Sequence, residues 1–183
     1  MLAPMLRPSC DTADMPNHDV LDQLSAARAR LDALRPAVEA REPWALAATF
    51  DHTPEAAWGP PELLAHCAEM VGYWDAELTR VATSDEPEPV TFGRIATDDD
   101  RLAVIRRERT RPAAELFDAI GSYADDFTAH WSAWSPMERS RIGLHPSRGE
   151  ITVESGASRF IAGHLDEHAA QLEAILGVTP AVG

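Results

Sequence analysis

Ile161-Ala162-Gly163-His164-Leu165-Asp166-Glu167-His168-Ala169-Ala170-Gln171-Leu172 reads as one continuous helical stretch. Ile161, His164, Leu165, His168 and Leu172, followed by Ile175 and Leu176, share one side of that helix and are expected to be buried. Thr152 is placed to cap it and Gly177 to end it. The buried side carries two histidines one turn apart, the spacing at which a single metal ion accepts two imidazole nitrogens at about 2.1 Å each. A third histidine, His66, lies near the start of another apolar-periodic segment. Three imidazoles converging inside a bundle leave a coordination position open for chemistry. Without that convergence, His164 and His168 are only two histidines at helical spacing.

Three further segments carry the same period. Val20, Leu24, Ala27, Leu31, Leu34 and Val38 form a bundle seam within residues 19–41, with Asn17 or Asp19 as its cap and Pro36 kinking or ending it. Trp58-Gly59-Pro60-Pro61 opens a second helix that runs to about Val81, with Leu63, Cys67, Met70, Trp74, Leu78 and Val81 on its apolar face. His66 sits one residue off that stripe, on a face shared with Met70 and Tyr73. Residues 83–97 read as a loop that can stretch about 50 Å, enough to cross a bundle lengthwise. Thr97 ahead of Asp98, Asp99 and Asp100 marks the next helix start, with Thr97 as the cap. Pro112 interrupts that helical segment, and Leu116, Phe117, Ile120, Ala124, Phe127, Trp131 and Trp134 then give a stripe ending near Ser135. Residues 136–151 hold Pro136, Gly143, Pro146 and Gly149 and read as a loop. No repeat of solenoid period occurs, and no strand-like alternation exceeds a few residues. Four amphipathic helices predict an all-α four-helix bundle, without fixing the order of the helices.

At 183 residues the chain suits one domain. Residues 1–17 lack both a continuous apolar stretch and a cleavage site of signal-peptide type, and are expected to be a disordered arm ahead of a domain over 18–183. Met15 is a candidate natural start. A formal charge of −14 argues against nucleic acid as a partner, since phosphate binding needs a basic footprint, and disfavours anionic membrane surfaces. With two cysteines, Cys10 in the arm and Cys67 in a helix, a structural disulfide is not expected and a cytoplasmic setting is the default. All 16 basic residues are arginines, so lysine Schiff-base chemistry and the lysine-containing phosphate loop are excluded.

The pattern Trp58-x-x-x-Glu62-Leu63-Leu64-Ala65-His66, joined through a long helical middle to Gly163-His164-x-x-Glu167-His168-x-x-Gln171-Leu172, resembles the DinB/YfiT-like superfamily over roughly residues 18–177. The resemblance implies a four-helix bundle in up-down-down-up order, often dimeric, with a divalent metal held by His66, His164 and His168. It also permits hydrolase, thiol S-transferase and isomerase activities.

His164-x-x-Glu167-His168 matches the inverted zinc-protease pattern as well, but it sits in a terminal bundle helix with no strands to seat a peptide. No serine nucleophile elbow, glycine-rich dinucleotide loop or paired-cysteine motif is present. Glu167 can orient a ligand histidine or act as a catalytic base, and is otherwise a solvated helix residue. Glu69 has the same two readings, with exposure favoured. Gln171 can hydrogen-bond a ligand imidazole, Tyr73 can reach the open position, and Cys67 is a small core residue. The tryptophans are core or pocket wall. His18, His52, His130 and His145 have no partner spacing and read as surface or cap residues. Arg106, Arg107, Arg109 and Arg111 form a solvated face or, functionally, a clamp for the carboxylates of a small thiol cofactor.

The expected function is therefore that of a metal-dependent enzyme acting on a small-molecule substrate. One divalent ion (Zn, Ni or Fe) in the three-histidine site would activate either water, giving a hydrolase, or a low-molecular-weight thiol, giving an S-transferase or isomerase. The absence of an obvious base beyond Glu167 and Glu69 slightly favours the thiol. The alternative is a non-catalytic bundle that binds a small ligand or a protein.

Overall fold

The computed structural model describes residues 20–178. The expected disordered arm, the Met15 start, Cys10, His18 and the caps at Asn17 and Asp19 lie outside the described residues. The first seam forms α1 (Val20–Asp32) and a short α2 (Arg35–Glu39). Pro36 separates them because it has no N–H to offer the Asp32 carbonyl one turn back. Their six seam residues are all buried. Two single 3-10 turns, Phe50–His52 and Glu55–Ala57, lead into α3 (Pro60–Ala82), which opens on its two prolines as expected.

The connection after α3 contains strand β1 (Val90–Thr91) and α4 (Asp99–Glu108) before α5 (Ala113–Ala133). Asp98, not Thr97, caps α4, its carboxylate accepting from the Arg101 N–H. The expected loop at 136–151 is more ordered than its proline and glycine content suggests. It starts with α6 (Pro136–Ser140), closed by a reciprocal Ser135–Glu138 capping box, and continues as a hairpin of β2 (Ile142–His145) and β3 (Gly149–Thr152). β2 pairs in parallel with β1 (Val90 opposite Gly143) and antiparallel with β3 (Gly143 opposite Ile151).

Thr152 caps the last helix, and Gly177 ends it with φ +68°. That helix has three parts: α7 (Val153–Gly156), a π-helical stretch Ala157–Gly163, and α8 (His164–Leu176). Ile175, expected to be buried, is instead 37% exposed. Glu173 turns inward because Arg30 grips its carboxylate with two hydrogen bonds of 2.7 and 2.5 Å.

Pairings between helices fix their order. Gln23 meets Ser158, Arg30 meets Asp166 and Arg41 meets Leu176, so α1 and α8 run parallel. The Tyr123 ring lies against Gly72, and His130 meets Asp75, so α3 and α5 also run parallel. Arg28 pairs with Asp125 and Arg35 with Asp118, which makes α1 and α5 antiparallel. His66 meets His164, while Leu78 packs so close to Gly156 that a Cβ there would lie 2.8 Å from it, which makes α3 and α8 antiparallel. The bundle is therefore up-down-down-up, and the lengthwise crossing falls between α3 and α5. Among the described residues no helix is long and apolar enough to cross a membrane.

Candidate metal centre

Two helices bring the histidines together. α3 carries His66 in its second turn, and the last helix presents His164 and His168 one turn apart as α8 begins. The π-helical stretch ends at Gly163, whose missing side chain leaves room for the Ser158 carbonyl, 3.0 Å from where a Cβ would stand. Nε2 of His164 lies 3.2 Å from Nε2 of His66 and 3.1 Å from Nε2 of His168. Adjacent ligands held about 2.1 Å from one ion are about 3.0 to 3.4 Å apart, so the spacing of these nitrogens fits a shared divalent cation. His66 and His168 are buried and His164 is 28% exposed at its side chain, which leaves one approach from outside.

Each donor nitrogen on the last helix is set up from behind. His164 Nδ1 lies 3.0 Å from the Glu167 carboxylate, and His168 Nδ1 lies 3.2 Å from Oε1 of Gln171. A ring that donates from Nδ1 keeps its lone pair on Nε2, the form in which imidazole binds metal. Gln171 also donates to the Glu55 carbonyl at 2.8 Å, tying the 3-10 turn before α3 onto α8. Burial lowers the His168 ring to a pKa of about 4, with the neighbouring His164 adding to the effect. Burial lowers His66 as well, and Arg101 reinforces the shift. Both rings are therefore neutral near pH 7.

A fourth group joins them. Oε2 of Glu55 is 4.0, 3.7 and 4.0 Å from Nε2 of His66, His164 and His168. Burial works against this carboxylate, but attraction to His66, Arg101, His164 and His168 outweighs it and holds the carboxyl below its ordinary range. Arg101 is itself buried, pairs with Glu55, donates to the Ala96 carbonyl at 2.8 Å, and lies 3.3 Å from His66 Nδ1. Glu55, His66, His164 and His168 together form a donor set able to hold a metal ion. The amino-acid pattern alone singles out neither Glu55 nor Arg101. Glu55 lies in a linker eleven positions before His66, with no helical spacing to mark it.

The remaining candidates divide. Glu167 is 75% exposed at its side chain and braces His164. Glu69, expected in solvent, is buried at its side chain because Arg94 pairs with it. Tyr73 lies beneath the Arg94 guanidinium, 3.6 Å from ring centroid to Cζ. Cys67 is a buried core thiol whose pKa burial raises. Trp58 packs edge-on against His66. His130, expected at the surface, is exposed there and also meets Asp75 at 2.9 Å. His145, also expected at the surface, is buried against Trp74 and Phe160 because the hairpin folds it over α3. The arginines at 106–111 do not act as a clamp. Arg106 pairs with Asp51, Arg107 and Arg111 with Glu108, and Arg109 with the fully buried Glu62.

A cavity of about 340 Å³ opens beside the cluster and reaches the hairpin. His66, His164, Glu55 and Glu167 form one side, and Trp74, Phe160 and His145 form an aromatic wall, with Trp74 and Phe160 stacked at 4.3 Å. Arg94, Arg101, Arg148 and Arg159 line it as well, in a chain of net charge −14. Burial lowers the pKa of His145, and the nearby Arg148 and Arg159 push in the same direction.

No family model matches the sequence, and no curated protein matches it. Among solved structures, the chain is similar to YfiT from Bacillus subtilis, described as a probable metal-dependent hydrolase with an unusual four-helix bundle topology. The identity is 14%, coverage is 95% of both chains and the TM-score is 0.62. It is also similar to the mycothiol-dependent maleylpyruvate isomerase at 15% identity, covering 90% of this chain and 62% of that one with a TM-score of 0.53, and to a histidine-to-alanine variant of that enzyme. The resemblance to the DinB/YfiT-like superfamily thus holds at the level of the fold.

Proposed function

We propose that this protein is a metal-dependent enzyme acting on a small molecule, with His66, His164 and His168 as metal ligands and hydrolysis as the reaction. The carrying observation is the convergence of three Nε2 atoms, two of them freed by Nδ1 partners. A divalent ion there supplies Lewis-acid activation, which makes a water or thiol nucleophilic near neutral pH.

The chain's own residues supply the rest. Glu55 faces the three nitrogens as a carboxylate and is the group placed to take a proton from the attacking nucleophile or to complete the ligand set. It fills the lack of a base that made thiol chemistry attractive from sequence, which is why hydrolysis is the first reading. Glu167 holds the His164 ring in its binding tautomer, and Gln171 does the same for His168. Arg101 keeps Glu55 ionised and in place. The cavity beside the cluster is open, not filled by tryptophan, which supports a reactant-admitting site over a sealed binding bundle.

The second reading, a thiol-dependent transferase or isomerase, uses the same residues with a low-molecular-weight thiol as nucleophile. It is supported by the fold shared with a mycothiol-dependent isomerase. A cytoplasmic setting fits the unpaired, buried Cys67.

Elemental analysis of protein purified without a histidine tag, combined with ester, amide and electrophile assays with and without added thiol, tests the proposal. About one divalent ion per chain and thiol-independent turnover are expected. A metal-free protein would remove both readings, and turnover only with thiol would select the second.

A further inference from the structure

The cationic rim of the cavity is not accounted for by the metal centre. Arg94 is neutralised by Glu69 and Arg101 by Glu55. Elsewhere among the described residues, arginines have an acidic partner within 4.0 Å or, as with Arg41 and Arg139, donate to a backbone carbonyl. Arg148 and Arg159 do neither, and both line the cavity. The chain has 30 acidic residues against 16 arginines, so cations left without an acid are unusual there.

They come from separate elements. Arg148 sits at the hairpin tip just before Gly149, with Cζ 5.8 Å from the Phe160 ring centroid. Arg159 belongs to the π-helical stretch immediately before Phe160. Two guanidiniums from different segments that line one cavity beside an aromatic wall can fork a planar oxyanion.

We propose that Arg148 and Arg159 form an anion subsite at the mouth of the metal pocket that takes the carboxylate of a small organic acid. The inference rests on this pocket being the reactive site and adds the substrate class to that reading. The cavity volume limits the ligand to a small molecule. Glu55 and Glu167 line the same space, so a carboxylate group, with one charge spread over two oxygens, is tolerated on the arginines better than phosphate, which concentrates up to two charges on one group. With its acid group on the arginines, the ligand's other end points past Trp74 and Phe160 towards the histidines.

The test is titration calorimetry of the purified full-length chain with succinate, its neutral analogue succinamide, and inorganic phosphate. Succinate is expected to bind, succinamide about tenfold more weakly or not at all, and phosphate more weakly than succinate. Arg148→Ala and Arg159→Ala should each weaken succinate about fivefold while leaving metal content unchanged, and Arg159→Lys, which keeps the charge but loses the planar fork, should recover only part of the affinity. Both side chains sit on exposed residues, so the variants are expected to fold, which circular dichroism checks. Equal binding of succinate and succinamide, unaltered affinity in the double alanine variant, or tighter binding of phosphate would each overturn the proposal. His164→Ala keeps the two failures apart. Arginine-dependent succinate binding should persist without metal, whereas loss of arginine dependence in metal-loaded protein removes the subsite alone.

Discussion

His66 and His164 stand 98 positions apart in the chain, yet their Nε2 atoms lie 3.2 Å from each other. Two neutral rings at that distance gain one weak hydrogen bond and leave a third buried nitrogen, on His168, beside them. The three are stabilised together only when their lone pairs share a cation. His164→Ala should therefore reduce bound metal from near one ion per chain to near none, as read by elemental analysis. Unchanged metal in that variant would defeat the three-histidine site.

Glu167 offers a finer test. It touches His164 through Nδ1, away from the Nε2 cluster, so its work is to orient the ring. Removing such a partner typically costs ten- to a hundredfold in metal affinity, and the exposure of Glu167 places it near the low end, about tenfold. Glu167→Gln keeps an oxygen acceptor and should recover much of the loss in a competitive chelator titration. If the Ala variant instead binds metal normally while turnover collapses, Glu167 is a catalytic base.

Which residues were legible in the sequence depends on how each one is positioned. His66, His164 and His168 ride on long amphipathic helices, where a period of 3.6 projects a side chain predictably. Glu55 lies in a three-residue 3-10 turn that Gln171 pins from the other end of the chain, a contact no local pattern encodes. His145 lies in a four-residue strand, too short to show alternation, and is buried only because the hairpin folds over Trp74. Ile175 lost its inward place to Glu173 because Arg30 made burial of a carboxylate favourable. The clustered arginines at 106–111 drew attention through adjacency, but helical rotation and nearby acids disperse them. Arg148 and Arg159 follow no common period in the sequence, and only the fold brings both to the lining of one cavity.

Removing the metal should lower the melting temperature. An ion that binds the native state at a thousandfold above its dissociation constant adds about 4 kcal/mol, or about 10 °C for a chain of this size. Calorimetry with and without a chelator measures it. Identical melting would mark the ion as adventitious.

Acid should destabilise the metal-free protein, and the direction of the shifts sets the sign. His168 titrates at about 4 when folded, against an ordinary value near 6.5 when unfolded. Between those values the unfolded chain binds more protons, so stability falls as pH drops from 6.5 towards 4. The cost is roughly 2 kcal/mol from His168 by about pH 5. Glu55 is shifted below its unfolded value and loses its contribution at lower pH still. Urea denaturation of chelator-treated protein at about pH 7 and about pH 5 reads the difference. A flat profile would mean that the rings are not buried neutral.

The fully buried carboxylate of Glu62 gives the strongest stability prediction. It accepts from Arg109 at 2.8 Å and from the Ala47 N–H at 3.0 Å, and Arg109 also donates to the Ala47 carbonyl at 2.6 Å while lying over Phe50. This knot fastens α4 and the segment before Glu55 to the first turn of α3, so it positions the metal site as well as the fold. Arg109→Met leaves the Glu62 carboxyl group buried with a single donor and no charge partner, which costs about 3 to 5 kcal/mol. Glu62→Gln still accepts both hydrogen bonds and should cost less. Replacing both partners, in Glu62→Leu with Arg109→Met, removes the stranded charge and should recover much of the loss, a coupling that a double-mutant cycle in urea measures directly. Because Glu55 lies beyond Ala47 and Phe50 on the same segment, Arg109→Met should also weaken metal binding without touching any ligand. An additive cycle would mean that Glu62 and Arg109 act independently, and the buried pair would then have no part in holding Glu55 over the histidines.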